Sequence, residues 1–205
     1  MPAKAGAPFR AADASKLALG SFQQPLVTKL LSSSAPDFSL ISNMRKVYRT
    51  VFLAGMATGV ADITSAFIIY GLRGSNPVRV LQSVASGWFG MESYEGGLAT
   101  AAMGLFFHFV IALNVGAAYV AASRKLTFLV KRPLVFGPLY GIVVYAFMNT
   151  VVLPLSAFPH AITYTPEVLA RGLLVHMSCV GSPTAFMTSY CSKLELQPVS
   201  TRSYQ

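Results

Sequence analysis

The chain has 205 residues, of which 54% are hydrophobic and only 11% are charged. Soluble domains carry about 25% charged residues, because most of their surface must be hydrated. Together with a mean hydropathy of +0.55, this composition excludes disorder of the whole chain and argues against a soluble enzyme. We therefore expect a membrane protein.

The formal net charge of +9 comes from Lys and Arg residues that stand mainly beside apolar segments. Such flanking positive charges set the orientation of membrane proteins and contact anionic lipid headgroups. The sequence has no signature of nucleic-acid binding, so we expect the lipid bilayer, and not nucleic acid, as the partner of this charge.

The two cysteines are not placed to form a disulfide. Cys179 and Cys191 are separated by twelve positions, which corresponds to about 18 Å along one helix and exceeds the reach of a disulfide. Neither belongs to a Cys-x-x-Cys pair, so the cysteines predict no metal site.

Both ends of the chain are predicted to be tails. Residues 1–45 are basic and rich in Ala and Ser, and they lack the apolar stretch of a secretory signal. We expect a loosely ordered tail there; its acid-poor composition is also mildly similar to a mitochondrial transit segment, so cleavage stays open. Residues 191–205 form the predicted C-terminal tail, and residues 46–190 the membrane domain.

Four apolar stretches in the membrane domain have about the 20 residues that a bilayer-spanning helix needs. We expect an all-α integral membrane protein with a four-helix bundle. The predicted spans are residues 48–70, 98–122, 134–157 and 166–190.

The fourth stretch is the least apolar, because it contains Glu167 and Arg171. Their i, i+4 spacing predicts an ion pair near the start of the helix. Thr165 and Pro166 are typical of a helix start, with Thr as N-cap and Pro at the first position.

Three prolines lie in or near the third and fourth stretches: Pro138, Pro154 and Pro183. A spanning helix is able to kink at a proline.

The distribution of basic residues predicts the orientation. They concentrate before the first span, between the second and third spans, and after the fourth, whereas the other two connections carry fewer of them. The positive-inside rule therefore predicts that both termini lie on the inner face. We expect the inner membrane of a bacterium or of a mitochondrion.

The connection between the first two spans, residues 71–97, is too long for a turn. Asn76 and Pro77 predict a helix start, and apolar residues follow at helical spacing. We expect an amphipathic helix on the outer face with Trp88 at headgroup level; the alternative is a re-entrant segment. The predicted apolar stripe comprises Leu81, Val84, Ala85 and Trp88.

Each predicted span holds one polar residue that is rare inside membranes and is therefore a candidate for function. At about 1.5 Å per residue, all four fall between the midplane and the outer third of the bilayer. Glycines spaced by four residues share their helix faces, so these side chains are predicted to face neighbouring helices. The candidate ligand- or proton-binding residues are Asp62, His108, Asn149 and His176.

These residues allow several kinds of site. His108 and His176 could hold a haem iron, or could join Asp62 in a two-histidine, one-carboxylate metal site. Asp62 and a histidine could instead relay protons. Alternatively, the four groups hydrogen-bond one another and only hold the helices together. The sequence contains no catalytic triad and no phosphate-binding loop, so we predict no catalytic residue.

Four segments carry a resemblance to a known group of proteins: GVADITSAFI at 59–68, RVLQSVASGWFG at 79–90, GGLATAAMGLFFHFVIA at 96–112, and the run from Pro133 to Pro159. In these segments the chain resembles small, uncharacterised bacterial inner-membrane proteins with four helices. The resemblance implies the topology and carries no assigned activity. Its pattern includes Asp62, Gln82, Ser86, His108, Tyr140, Asn149 and Pro154.

We favour a non-enzymatic multi-pass membrane protein that self-associates or serves as an accessory subunit of a membrane assembly, without a cofactor. The alternative is a protein that handles protons, ions or a small ligand through the four polar residues. A haem or divalent-metal redox protein, with His108 and His176 as ligands, is the third hypothesis.

Overall fold

The computed structural model describes residues 38–161 and 164–196. Most of the predicted N-terminal tail and residues 197–205 of the predicted C-terminal tail lie outside these ranges. Contacts divide the chain into Met1–Asn43 and Met44–Gln205. The described part of the first unit is the beginning of a helix, and the second unit holds the remaining elements.

All regular elements of the described ranges are helical. A 3-10 helix, Gly90–Tyr94, joins α2 to α3. A first π segment, Met148–Val152, joins α5 to α6, and a second π segment, His176–Gly181, joins α7 to α8. The α-helices are α1 (Phe38–Gly71), α2 (Pro77–Phe89), α3 (Gly97–Lys125), α4 (Phe128–Lys131), α5 (Pro133–Phe147), α6 (Leu153–Leu155), α7 (Pro166–Val175) and α8 (Ser182–Leu196).

Three helices are long and apolar enough to cross a membrane: Ile41–Gly71, Gly97–Lys125 and Pro133–Leu155. Only 28%, 17% and 17% of their apolar windows is buried within the protein. In water, so much exposed apolar surface would be strongly unfavourable, so these helices are compatible with an integral membrane protein. The fourth predicted span is helical from Pro166 to Leu196 but is not one of these three.

Two helix starts are capped as the sequence predicts. The Thr165 hydroxyl accepts a hydrogen bond from the Val168 amide at 3.3 Å, and Pro166 follows the cap. The Asn76 side chain accepts from the Arg79 amide at 2.8 Å. Both caps satisfy backbone N–H groups that have no partner within the helix.

The predicted ion pair on α7 is confirmed, since the Arg171 guanidinium lies 3.0 Å from the Glu167 carboxylate. Arg73, in the connection after α1, also donates to Glu167, at 3.1 Å. Glu167 therefore links the end of α1 to the start of α7. We refer to this side of the protein, where α1 ends and α3 and α7 begin, as the Glu167 end.

Glycines allow the long helices to approach one another, as predicted. A Cβ atom on Gly116 of α3 would lie 2.9 Å from the Gly55 nitrogen of α1. A Cβ atom on Gly137 of α5 would lie 3.0 Å from the Cα atom of Ser182. Such backbone contacts are typical of helices that pack through small residues in lipid.

A pair of hydroxyl groups joins α1 to α8. The Oγ1 atoms of Thr58 and Thr184 lie 2.6 Å apart, and both residues are at most 2% exposed. The Thr184 hydroxyl is also 2.7 Å from the Val180 carbonyl oxygen, to which it is able to donate. The last helix thus packs directly against the first through satisfied polar groups.

Helix α2 packs against α3. Near its start, Gln82 donates a hydrogen bond to the Gly97 carbonyl at 3.0 Å. Near its end, the Trp88 ring stacks on Phe107, with 5.5 Å between ring centroids. Whether α2 lies on the outer face or re-enters the membrane stays a prediction.

The face of α2 that packs within the protein shares Ala85 with the predicted apolar stripe. The backbone carbonyl of Leu81 approaches Gly104 so closely that a Cβ atom there would overlap with it. This contact turns polar residues inward, where they are hydrogen-bonded, and leaves Trp88 71% exposed. The buried residues of α2 are Val80, Gln82, Ala85 and Ser86.

Candidate functional site

A cavity of about 360 Å³ lies between α1, α2, α3, α5 and the two π segments. Its walls are mainly aliphatic, and its titratable side chains include Asp62, His108 and His176. Asn149 lines a second cavity of about 510 Å³, which Asp62 and His176 also border. The structure therefore brings three of the four candidate residues to one cavity and Asn149 to the adjoining one.

Asp62 is half-buried on α1 and borders both cavities. Within the described ranges, its carboxylate makes no hydrogen bond and no ion pair. It is also the only Asp, Glu, Lys or Arg side chain among the described residues that line the smaller cavity. An unpaired carboxylate among aliphatic walls is unfavourable in a membrane, so its presence points to a function.

His108 connects α3 to α1. Its Nε2 atom lies 2.9 Å from the carbonyl oxygen of Gly59. Because a carbonyl only accepts hydrogen bonds, Nε2 must carry the proton. In the neutral imidazole, Nδ1 is then the atom with the free lone pair.

His176 is the first residue of the second π segment, and its ring packs edge-on against Tyr145 at 5.1 Å. Its Nδ1 atom lies 2.9 Å from the carbonyl oxygen of Gly172 and is therefore the protonated nitrogen. The neutral ring has its lone pair on Nε2. Both histidines thus have one nitrogen fixed by the backbone and one available as an acceptor.

Asn149 belongs to the first π segment. Its side-chain amide donates to the Tyr145 carbonyl at 2.9 Å. In the described structure, none of the four candidate side chains hydrogen-bonds to another: the histidines and Asn149 use backbone carbonyls, and Asp62 has no partner. The hypothesis that they hold the helices together by pairing with one another does not fit this arrangement.

The π segments are features that the sequence analysis missed. Each ends two residues before a proline: the first at Val152 before Pro154, and the second at Gly181 before Pro183. Proline removes an N–H group from the helical hydrogen bonds, and single π turns are frequent at functional sites. Pro138, by contrast, leaves α5 unbroken. The prolines were the available signal, but they do not specify a π turn.

The proposed three-residue metal site does not fit the geometry. Among the residues that the structure describes, no three His, Cys, Asp or Glu side chains are grouped closely enough to hold a metal ion. Cys179 and Cys191 are free thiols, in agreement with their spacing. The haem hypothesis, which needs only the two histidines, stays a prediction.

The larger cavity extends to the Glu167 end of the protein. There it is bordered by His160 and Ala161, which are both exposed, and by Arg171. The His160 ring is hydrogen-bonded to the Tyr94 hydroxyl at 3.1 Å. Asp62 and His176 border both cavities, so these two polar residues lie beside the cavity that reaches this exposed end.

Polar and aromatic contacts join the helices beside the other side of the smaller cavity. The Tyr140 hydroxyl donates to the Val115 carbonyl at 2.7 Å, and its ring contacts Tyr119, which is 1% exposed. The Thr58–Thr184 pair lies on this side as well.

Comparisons with family models, with curated proteins and with solved structures give no match for this chain. The resemblance to small bacterial four-helix proteins stays a prediction, and the site itself must support any functional conclusion.

Proposed function

We propose that this chain is a four-span integral membrane protein, and that its cavities bind a small ligand taken from the outer side. Two contacts support a fourth span. The last helix joins α1 through Thr58 and Thr184, and α7 joins the end of α1 through Glu167. The distribution of basic residues supports the Glu167 end as the outer side.

The observation that carries the ligand-binding proposal is the unpaired carboxylate of Asp62 in a preformed cavity. A purely structural polar group would be expected to have its hydrogen bonds satisfied by the protein. Known small-molecule sites share this design, in which mainly apolar walls surround a few polar groups. We therefore prefer ligand handling to the hypothesis of a purely structural polar layer.

The proposal does not exclude partner subunits. Large apolar side chains are exposed on two of the long helices: Phe52 on α1, and Val143 and Phe147 on one face of α5. They suit lipid contact and subunit contact equally. Self-association or a role as an accessory subunit stays a prediction.

The test is the accessibility of the cavity to water-soluble thiol reagents. In a background carrying Cys179→Ser and Cys191→Ala, Ser83→Cys places a thiol on the wall of the smaller cavity. A membrane-impermeant methanethiosulfonate reagent is then added to the outer or the inner side of sealed vesicles. The matched control is Val143→Cys, since Val143 is 61% exposed on an apolar helix and does not border the cavity.

We expect the cavity thiol to react from the outer side only and the Val143→Cys thiol to react from neither side. An unreactive Ser83→Cys thiol, in protein whose Ser75→Cys variant reacts from outside, would show that the cavity is closed to water and would overturn the proposal.

A further inference from the structure

The side-chain atoms of the three candidate residues that remain free to bind a ligand in the smaller cavity are all hydrogen-bond acceptors. The Gly59 carbonyl occupies the N–H group of His108, and the Gly172 carbonyl occupies that of His176. In their neutral form the two rings offer only lone pairs at the remaining nitrogens, and an ionised Asp62 carboxylate also only accepts hydrogen bonds. Three side chains from three helices thus present acceptors without an accompanying N–H donor.

The hydroxyl groups around the cavity add few hydrogen-bond donors to these acceptors. The Ser156 hydroxyl donates to the Leu153 carbonyl at 2.7 Å, and that of Thr58 pairs with Thr184. Ser83 and Tyr70 keep hydroxyls that are able to donate or accept. No Lys or Arg side chain is among the described residues that border this cavity. Arg171 borders the larger cavity, but its guanidinium is paired with Glu167 at 3.0 Å.

We infer that the ligand is a small organic cation with N–H donors on an apolar body, of the primary alkylammonium class. Its ammonium group would pair with Asp62 and donate to His108 Nδ1 or His176 Nε2, and its hydrocarbon part would contact the aliphatic walls. This inference rests on the proposed ligand-binding function. A volume of about 360 Å³ is at the lower end of the range for small-molecule pockets, which indicates a ligand of few heavy atoms.

An anion is disfavoured because Asp62 would repel it, with no cation beside the smaller cavity to offset the repulsion. A neutral alcohol would fill the same space and satisfy one acceptor, but it would leave the carboxylate without a counter-charge. The comparison of three probes with the same chain length therefore isolates the charge: hexylammonium, 1-hexanol and hexanoate.

The experiment measures how strongly each probe slows the reaction of the Ser83→Cys thiol in nanodiscs. We expect hexylammonium to protect the thiol at concentrations at least tenfold lower than hexanol, and hexanoate to protect least. Asp62→Asn should weaken protection by hexylammonium about tenfold to a hundredfold, as for loss of a charged hydrogen bond, and should leave hexanol unchanged. Glu95→Gln, which removes a carboxylate away from both cavities, is the matched control.

The outcomes separate the two proposals. If the thiol does not react at all, the ligand-binding function fails. If the thiol reacts but hexanol or hexanoate protects as well as hexylammonium, or no probe protects, the cation inference alone is overturned. Equal protection by hexylammonium in the Asp62→Asn and unsubstituted proteins would also overturn it. Because the Asp62 carboxylate makes no hydrogen bond to the described residues and Asn has nearly the same size, Asp62→Asn is expected to fold; size-exclusion chromatography checks this.

Discussion

The carbonyl oxygen of Gly59 on α1 lies 2.9 Å from Nε2 of His108 on α3. One hydrogen bond therefore both joins two helices and fixes which nitrogen of the ring remains available. The packing of α1 on α3, through Gly55 and Gly116, sets the geometry of this bond. The orientation of a candidate ligand-binding group is thus determined by helix contacts outside the cavity.

Replacing His108 should measure how much its hydrogen bond to Gly59 contributes to the stability of the protein. We expect His108→Ala to lower the free energy of unfolding by about 0.6 to 2 kcal/mol, the range for hydrogen bonds between membrane helices. His108→Gln, which retains an N–H donor, should lose less. Unfolding in mixed micelles with increasing dodecyl sulfate gives the values, with His160→Ala in the exposed connection as control. Equal stability of all variants would contradict an interhelical bond.

Gly141 should tolerate no larger residue. A Cβ atom there would lie 2.6 Å from the carbonyl carbon of His176, where the second π segment packs on α5. Gly141→Ala should therefore destabilise the protein by about 1 to 3 kcal/mol, as overpacking does. Gly71→Ala is the matched control, because a Cβ atom at Gly71 has nothing within 4 Å; it should be neutral or stabilising by up to about 1 kcal/mol. Similar results for the two variants would refute the close contact.

The hydroxyl pair of Thr58 and Thr184 should show energetic coupling. A double-mutant cycle with Thr58→Val and Thr184→Val isolates the interaction between the two side chains. We expect a coupling energy of about 0.6 to 1.7 kcal/mol, measured by the same unfolding assay. A value of zero would mean that the last helix does not pack on α1 as described.

The ion pairs of Glu167 should contribute little to stability. The Glu167 side chain is 79% exposed, so water and salt screen its charge. Glu167→Gln should change the free energy of unfolding by less than about 1 kcal/mol, and less still at high salt. A larger, salt-independent loss would show that this end of the protein is shielded from water.

Four spans predict a specific labelling pattern. In the cysteine-free background, Ser75→Cys should react with an impermeant reagent from the outer side, and Leu126→Cys from the inner side. Lys193→Cys, at the end of α8, should match Leu126→Cys. Reaction of Lys193→Cys from the outer side would mean that Pro166–Leu196 does not cross the membrane and that the protein has three spans.

Features that depend on neighbours in sequence could be predicted. The caps at Asn76 and Thr165 and the Glu167–Arg171 pair each involve residues within one helical turn. The three most apolar helices could be predicted for the same reason, because their length and hydropathy depend only on continuous stretches of sequence. Helix rise alone predicted that His108 and His176 lie at similar depth, and the structure places both beside one cavity.

Features that depend on distant contacts could not be predicted. The path of α2 is set by Gly104, which admits the backbone of Leu81, and no periodicity within α2 reveals this partner. The tautomers of the histidines depend on which carbonyl each ring meets. The π turn at His176 combines a nearby proline with the space that Gly141 leaves on another helix.

The Ala157 amide donates a hydrogen bond to the Gly87 carbonyl at 2.8 Å, joining the connection after α6 to the end of α2. Because both groups belong to the main chain, the link does not depend on either side chain, and a Cβ atom at Gly87 would make only ordinary contact with Ser156. Substitutions at both positions could therefore accumulate while the two segments stay fastened together. Only proline at position 157 would remove the donor. This backbone hydrogen bond therefore leaves almost no trace in the amino-acid sequence, and a comparison of sequences would not detect it.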